Sequence, residues 1–227
     1  MTELIVYATG DGSGDVERVT DGTWAQVRGD AGDASHINPT RAELSVKSTS
    51  DTDAWDSLFR IGLSFDTSDI GAGSTINSAT IDFPGYGKSN TFTTAKDIAL
   101  TEFSPDTDGV LVTADYNTFV DTRLSDSDLI YANFDINDRY GYNTLTLNED
   151  GISAISKTGW TTLMLRIAND VDNSISWESG VTTYYNIHIT TADKIPKLTI
   201  EYTAAGGDVP RIPRISASIG SANMFMV

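Results

Sequence analysis

The chain has 227 residues with 32 acidic and 15 basic side chains, which gives a formal net charge of −17 at pH 7. Nucleic acids and anionic membranes are bound through clustered Lys and Arg, so this balance argues against both as partners. The sequence has no cysteine, which excludes disulfides, thiolate nucleophiles and Cys-ligated zinc. We interpret the acidic excess as a source of solubility, with divalent-cation binding as the alternative.

In chain order, the first predicted strand covers residues 4–8. A polar loop follows, and then the stretch 22–26, in which Trp24 is exposed or caps the end of a sandwich. Residues 29–40 show no periodicity and are predicted to form a loop. Residues 42–47 alternate weakly and predict an edge strand, since their charged side chains discourage further pairing.

The clearest pattern lies in residues 58–83. Apolar side chains alternate with small or polar ones in residues 58–65, and again in residues 78–83 after a turn. Because side chains alternate across a strand, each strand is predicted to have one core face and one outward face. We interpret the two as a half-buried antiparallel pair, with Arg60 on the outward face.

The second half of the chain repeats short alternating strands. They are predicted at residues 97–103, 142–147, 161–167, 174–179, 184–189 and 197–203. A one- to two-turn helix is predicted after Thr113, and a second helix is capped by residues 148–150 and stopped at Gly159. Short strands without long helices predict an all-β fold, an antiparallel β-sandwich of the jelly-roll kind with one or two short helices.

Three segments carry a resemblance to a known family: RIGLSFDTSDIGAGSTINSATIDF, GWTTLMLRIANDVDNSISWESG and IPKLTIEYT. Together they resemble the jelly-roll family named after its Asp-Asn-Arg-Leu-Arg-Glu (DNRLRE) motif, which includes carbohydrate-binding modules. With the stretch LVTADYNTF, they are also similar to minor structural proteins of tailed phages. The resemblance spans about residues 55–203, and LRIANDVDNS is a loose counterpart of the naming motif. It implies a jelly-roll sandwich and a glycan-binding surface.

The sandwich domain is predicted to cover residues 1–203, and residues 204–227 form a separate tail. This tail starts Gly-rich, becomes Pro- and Arg-containing, and ends apolar. An exposed apolar end favours aggregation unless it docks, so we predict an assembly tail buried on another subunit or partner. The alternative is a tail that folds back on its own sandwich or is disordered. Its apolar residues are Ile212, Ile215, Ile219, Met224, Phe225, Met226 and Val227.

No catalytic motif is evident. The two histidines, His36 in a predicted loop and His188 on a predicted outward face, accompany no serine nucleophile motif, and no P-loop or zinc-protease motif occurs. The sequence therefore predicts a protein that is not an enzyme. Carboxylate-pair glycoside hydrolysis stays open, because such a pair is set by space rather than by sequence.

Glycan binding needs flat aromatic rings and a few polar groups that fix orientation. The candidates lie beside polar, loop-like stretches or on predicted outward strand faces. They are Trp55, Arg60, Tyr140, Arg166, Trp177 and Tyr184. The alternative is that these aromatic rings cap the ends of the sandwich and that the arginines neutralise nearby acidic residues.

Calcium is the metal that the sequence favours, although no cofactor is required. Alternating hard oxygen ligands occur at Asp51, Asp53, Asp106 and Asp108, which suits a cation with ~6–8 oxygen ligands. The alternative is that each Asp lies in a turn because its side chain caps its own backbone.

These observations lead to a ranked hypothesis. First comes a non-enzymatic structural protein of a tailed-phage virion, a decoration or fibre-like component that displays the sandwich and docks through its tail. Its partners would be other virion proteins or further copies of itself, with a cell-surface glycan as an additional ligand. It would be made in the host cytoplasm, or be extracellular if the natural chain begins earlier. The first alternative is a carbohydrate-binding module, and the second is a polysaccharide-degrading enzyme.

Overall fold

The structure, a computed structural model, describes residues 1–137, 141–190 and 194–206. Within them the predicted all-β antiparallel sandwich is confirmed, with 11 strands and only short helices. The strands are β1 (Thr2–Tyr7), β2 (Gly14–Gly22), β3 (Ala34–Ile37), β4 (Arg41–Ser48), β5 (Trp55–Asp66), β6 (Thr75–Asn90), β7 (Ile98–Glu102), β8 (Tyr142–Thr146), β9 (Trp160–Ile167), β10 (Thr182–His188) and β11 (Lys197–Thr203). The helices are α1 (Trp24–Gly29), α2 (Glu149–Ala154) and α3 (Ala168–Val171), with 3-10 turns at Ser68–Ile70, Thr113–Asn117 and Tyr131–Asn133.

The long strand β6 connects the two parts of the sheet. Its first part pairs with β11 and β8, and its second part, residues 85–90, pairs with β10. The order therefore runs β1-β11-β6-β10-β4-β5-β2-β3, with β8 beside β6, β9 beside β5 and β7 beside β9. Every one of these pairings is antiparallel.

The predicted pairing of residues 58–65 with residues 78–83 is wrong. β5 pairs with β2, β4 and β9, whereas β6 pairs with β8, β10 and β11. The connection between them bonds instead to the chain before β9: Thr67 N donates to Gly159 O and Gly71 N to Lys157 O. Because of these bonds the chain does not turn back on β5, and β6 begins beside other strands. The prediction of an edge strand at 42–47 is wrong as well, because β4 lies between β5 and β10.

β5 is buried on both faces, so its second face does not look outward as predicted. A Cβ at Gly62 would lie 2.7 Å from Leu111 Cδ1, which shows that the segment between β7 and β8 crosses this face closely. On the same strand Arg60 is covered by Tyr116 and Phe119, whose ring centroids lie 4.3 and 4.2 Å from its Cζ. The crossing segment, which the alternation pattern does not reveal, decides this burial.

An arginine–aspartate cluster lies on the face of β5 that the segment between β7 and β8 crosses. Arg60, Arg166 and Asp170 are each 0% exposed. The prediction that both arginines line an outward surface is therefore wrong, and the alternative, that they pair with acidic residues, agrees with the structure. Arg60 Nε donates to Asp170 Oδ2 and Arg60 Nη2 donates to Asp170 Oδ1, each at 2.8 Å. Arg166 Nε also donates to Asp170 Oδ2, at 2.7 Å. Arg60 also donates to the Tyr116 carbonyl, and Arg166 to Asp121 Oδ1. The guanidinium groups are thus bound inside the protein.

The charges in this cluster depend on one another. Burial alone would raise the pKa of Asp170, but the facing Arg60 and Arg166 outweigh it and hold that pKa below its ordinary value. The carboxylate therefore stays ionised, and its stabilising effect is lost only when the pH falls through this lowered value. Two buried guanidinium groups share this single buried carboxylate, so its removal leaves uncompensated buried charge.

We expect Asp170→Asn to destabilise the fold by about 3–5 kcal/mol, the usual effect of removing one partner of a buried ion pair. Urea unfolding at neutral pH measures the effect. The matched control is Asp172→Asn, two residues away, whose carboxylate is half-exposed and bonds Arg123. This control should change stability by less than about 1 kcal/mol. Equal effects of the two substitutions would contradict the role assigned to Asp170.

Three elements near the start of the chain were not predicted: β2, α1 and β3. The residues of β2 and β3 were interpreted as loop because they are polar and lack a clear period, and no helix was predicted at 22–26. A local signal for α1 was present, since Thr23 and Gln26 form a capping box in which Thr23 N donates to Gln26 Oε1 at 2.9 Å. The two strands carry no such local signal and form because β2 pairs with β5 and β3 pairs with β2.

The two predicted helical segments are present. The predicted turn after Thr113 is the 3-10 turn Thr113–Asn117. The helix predicted from residue 149 is α2, whose N-cap Asn148 accepts a hydrogen bond from Gly151 N at 2.8 Å. It ends at Ala154, well before Gly159. His188, predicted to face outward, is instead buried, with its ring 5.1 Å from that of Tyr86.

An ion pair fastens β3 to β2. His36 Nδ1 lies 2.8 Å from Asp15 Oδ1, and the other Asp15 oxygen accepts from Glu43 N. The hydrogen bond to Asp15 raises the pKa of His36, with nearby Glu17 adding to the effect. A histidine whose pKa is raised by folding contributes stability in full below its unfolded pKa, about 6.5, and loses it as the pH rises through the folded value.

We therefore expect the urea midpoint of the protein to fall more between about pH 6 and about pH 8.5 than that of His36→Gln, which cannot titrate there. The corresponding difference in the free energy of unfolding should stay below about 1 kcal/mol because His36 is half-exposed. Unfolding curves of both proteins at the two pH values measure it. Parallel pH dependence of the two proteins would contradict a stabilising charge on His36.

Candidate functional site

A groove of about 470 Å³ opens beside the turn between β4 and β5. It lies between this turn, helix α1 and the segment that follows α3. Three tryptophans line it together with small, polar and acidic side chains, and we call it the tryptophan groove. Its lining residues are Thr23, Trp24, Ala25, Asp53, Trp55, Asn173, Ile175 and Trp177.

Trp24 is presented by the first turn of α1. The capping box fixes the start of this helix, and Trp24 is its first residue. The indole Nε1 donates to Asn173 Oδ1 at 2.9 Å, so this ring is tied to the opposite wall of the groove. Its side chain is only partly buried. One flat apolar surface is therefore available at a fixed orientation.

Trp55 supports the groove from behind. It is the first residue of β5, beside a polar turn as predicted, but its ring is buried and does not face a ligand. Its ring lies 5.1 Å from that of Trp24, tilted by 57°, and 6.3 Å from that of Phe92, nearly parallel at 18°. Because both neighbours pack against it, Trp55 acts as the aromatic floor on which Trp24 rests.

Trp177 forms the other aromatic wall. Its Nε1 donates to the Ala54 carbonyl at 3.1 Å, which joins the segment before β10 to the β4–β5 turn. The side chain is partly buried. Since the indole N–H of both Trp24 and Trp177 is bonded inside the protein, what these residues offer to a ligand is ring surface.

Two polar groups lie on the groove in an unusual backbone conformation. Asp53 has φ +56° and Asn173 has φ +49°, in the left-handed region that Asp and Asn tolerate better than other residues. Asp53 belongs to a tight turn in which Thr49 N donates to Ala54 O and Ala54 N to Asp51 O. Turn geometry therefore places a carboxylate and an amide beside the tryptophans.

The structure brings together only some of the predicted site residues. Trp55, Trp177 and Asp53 share the groove, whereas Arg60 and Arg166 lie in the buried cluster described above. Tyr184 lies elsewhere, in the middle of β10. It is registered between Ser45 of β4 and Ser89 of β6 and is partly buried. The predicted Tyr140 lies outside the described residues.

Sequence reasoning singled out three of the eight lining residues, and those it missed include Trp24, as a ligand-facing ring, and Asn173. The capping box at Thr23 is a local signal that places Trp24 at the start of a helix. Asn173 carries no signal in the sequence, because its place on the groove depends on α3 and on a hydrogen bond that spans 149 residues.

The predicted calcium ligands lie in two separate turns. Asp51 and Asp53 belong to the turn between β4 and β5, and Asp106 and Asp108 lie in an exposed turn closed by Val110 N donating to Thr107 O. In the part of the chain that the structure describes, no three His, Asp or Glu side chains are grouped to hold a metal ion. We therefore base no metal site on these residues.

A second cleft, of about 370 Å³, holds two carboxylates. Glu102 and Asp150 line it together with Val120, Thr122, Leu124, Ser153 and Ala154. Burial raises the pKa of Glu102, as suits a general acid. However, none of these lining residues is aromatic, so the cleft offers no ring on which a sugar would stack. The tryptophan groove is the better candidate for a glycan site.

No protein-family model matches the chain, and no curated protein matches it. The resemblance to the DNRLRE family therefore stays a prediction. Among the described residues, no helix combines the length and the apolar character needed to cross a bilayer.

Proposed function

We propose that the chain is a non-enzymatic carbohydrate-binding protein whose ligand lies in the tryptophan groove. The observation that carries this proposal is the placement of Trp24 and Trp177, two partly exposed rings, beside Asp53 and Asn173 on one open groove. Binding sites of this kind combine apolar or aromatic walls with a few placed polar groups. The resemblance to a family that includes carbohydrate-binding modules supports the same proposal.

The physical basis is stacking on pre-positioned rings. The C–H faces of a pyranose are apolar and pack against flat aromatic surfaces, while its hydroxyls need hydrogen bonds. The indole N–H bonds to Asn173 and Ala54 hold Trp24 and Trp177 in place before a ligand arrives. A pre-organised site loses little side-chain entropy on binding, which favours affinity.

Removal of either wall of the groove should weaken binding. We expect Trp24→Ala and Trp177→Ala each to lower affinity for the best glycan of an array by at least about tenfold, roughly 1.4 kcal/mol. Isothermal titration of the full chain measures this, after circular dichroism has shown that each variant is folded. The matched control is Tyr7→Ala, which removes an exposed aromatic side chain on β1, far from the groove in the sheet order.

Two further variants separate the alternatives. If Tyr184→Ala abolishes binding and the tryptophan variants do not, the ligand site is the face of β10 and the groove proposal fails. If the bound glycan is cleaved and Glu102→Gln stops the cleavage, the protein is a polysaccharide-degrading enzyme and the non-enzymatic part of the proposal fails.

A virion role is compatible with glycan binding, because a sandwich displayed on a tailed phage can bind cell-surface glycans. This role, and assembly with virion proteins or further copies, depends on the predicted tail. Its apolar residues, from Ile212 to Val227, lie outside the described residues. The virion hypothesis is therefore kept as a proposal about where the glycan-binding sandwich works.

The tail proposal makes a separate prediction. β11 pairs with β6 up to Thr203, which lies opposite Thr75. A chain ending at Gly206 should therefore have the free energy of unfolding of the full chain to within about 0.5 kcal/mol, as measured by urea unfolding. Light scattering should show that the full chain assembles and that the shortened chain is a monomer. Equal masses for the two proteins would rule out self-assembly through residues 207–227.

A further inference from the structure

We infer that the tryptophan groove selects neutral glycans, and that Asp53 and Asn173 together determine this specificity. The inference rests on the proposed function, since it names the class of glycan that the same groove would take. Three features support it: the charge of the groove lining, the contacts of two lysines close to Trp55 in the fold, and the hydrogen-bonding capacity of the two polar side chains.

The lining of the groove carries a negative charge and no positive one. Among the described residues that line it, Asp53 is the one charged side chain, and it is exposed. Uronate and sulfate groups are bound by Arg or Lys, since these supply charge-assisted hydrogen bonds. A carboxylate at the groove instead repels them, and the formal net charge of −17 adds to that repulsion.

Two lysines close to Trp55 in the fold are already engaged. The Lys96 side chain is buried, and its ammonium lies 4.7 Å from the ring centroid of Phe92, the ring that stacks on the far side of Trp55. Lys47 Nζ lies 2.8 Å from Asp56 Oδ2 in an ion pair. Neither cation belongs to the lining of the groove, so neither offsets the charge of Asp53.

The two polar side chains complement a pair of hydroxyls. Asn173 Oδ1 accepts from the Trp24 indole, which fixes the amide so that its Nδ2 keeps two donor hydrogens. In the described part of the chain, neither this Nδ2 nor the Asp53 carboxylate takes part in a hydrogen bond. A donor and an acceptor on one groove suit neutral sugar hydroxyls, each of which both donates and accepts.

The position of both groups is also fixed by the fold. Asn173 N donates to Asp170 O, so Asn173 follows directly on the helix that supplies the buried carboxylate of the arginine cluster. Asp53 is held in the tight turn before β5. Because both groups are held in position before a ligand arrives, little conformational freedom is lost when a matching ligand pairs with them.

The test uses the full chain and two sets of hexasaccharides of equal length. The neutral set is cello-, manno-, xylo- and maltohexaose, and the acidic set is hexagalacturonate, hexamannuronate and a heparin hexasaccharide. Titrations at about 50 mM salt keep charge effects visible. We expect the best neutral ligand to bind at least about tenfold more tightly than the best acidic one.

Asp53→Asn is the informative variant, because Asn tolerates the left-handed backbone at this position while the charge is removed. We expect it to weaken binding of the neutral ligand and to narrow the gap between neutral and acidic ligands at least about fivefold. Asp51→Asn, in the same turn but outside the groove lining, is the matched control and should leave the gap unchanged.

The outcomes separate this inference from the proposed function. If an acidic ligand binds as tightly as any neutral one and Trp24→Ala abolishes that binding, the groove is a glycan site but its neutral selectivity is wrong. If Asp53→Asn leaves the gap unchanged, Asp53 does not determine specificity. If no hexasaccharide binds, or if Trp24→Ala has no effect on binding, the proposed function itself is wrong and this inference falls with it.

Discussion

The fold depends on one buried carboxylate. Asp170 pairs with both Arg60 of β5 and Arg166 of β9, and all three side chains are fully buried. Two guanidinium groups without this partner would carry a desolvation cost of several kcal/mol each. The interaction links β5 and β9, which are paired strands, and it joins α3, which carries Asp170, to the sheet.

The same arginine–aspartate cluster positions the candidate site. Arg28, in the last turn of α1, donates from Nε to the Asp170 carbonyl at 2.8 Å, so α1 and α3 are joined at the cluster. At its other end, α1 presents Trp24 to the groove, and the residue after α3 that accepts its indole N–H is Asn173. The two walls of the groove are thus connected through the core rather than through loops alone. This connection explains how short helices hold two aromatic rings and an amide in fixed positions.

The polar side chains of the core are bonded within the protein, whereas those of the groove are exposed to solvent. In the core, Arg60 and Arg166 are fully engaged by Asp170, backbone carbonyls and Asp121, so they have little capacity left for a ligand. In the groove, the Asp53 side chain is exposed and stands in a turn that only a few residue types tolerate. Polar side chains that are satisfied internally stabilise the fold, and those presented outward on a rigid frame are available for recognition.

The fold class follows from the sequence because strand periodicity, short turns and helix caps are local properties. The alternation in β5, the cap at Asn148 and the recurrence of short strands up to residue 203 can each be recognised from neighbouring residues alone. Strand partners are not local, so the alternation of residues 58–65 and 78–83 predicted a pair where the structure has strands with different partners. Asp53 in a turn and Trp177 beside a polar stretch were predictable as candidates, but not as members of one groove, and the strand predicted at 174–179 is absent from the structure. Whether Arg60 faces water or Asp170 was decided by the segment that crosses β5. Burial of a charge depends on what packs over it, and only the tertiary structure specifies that.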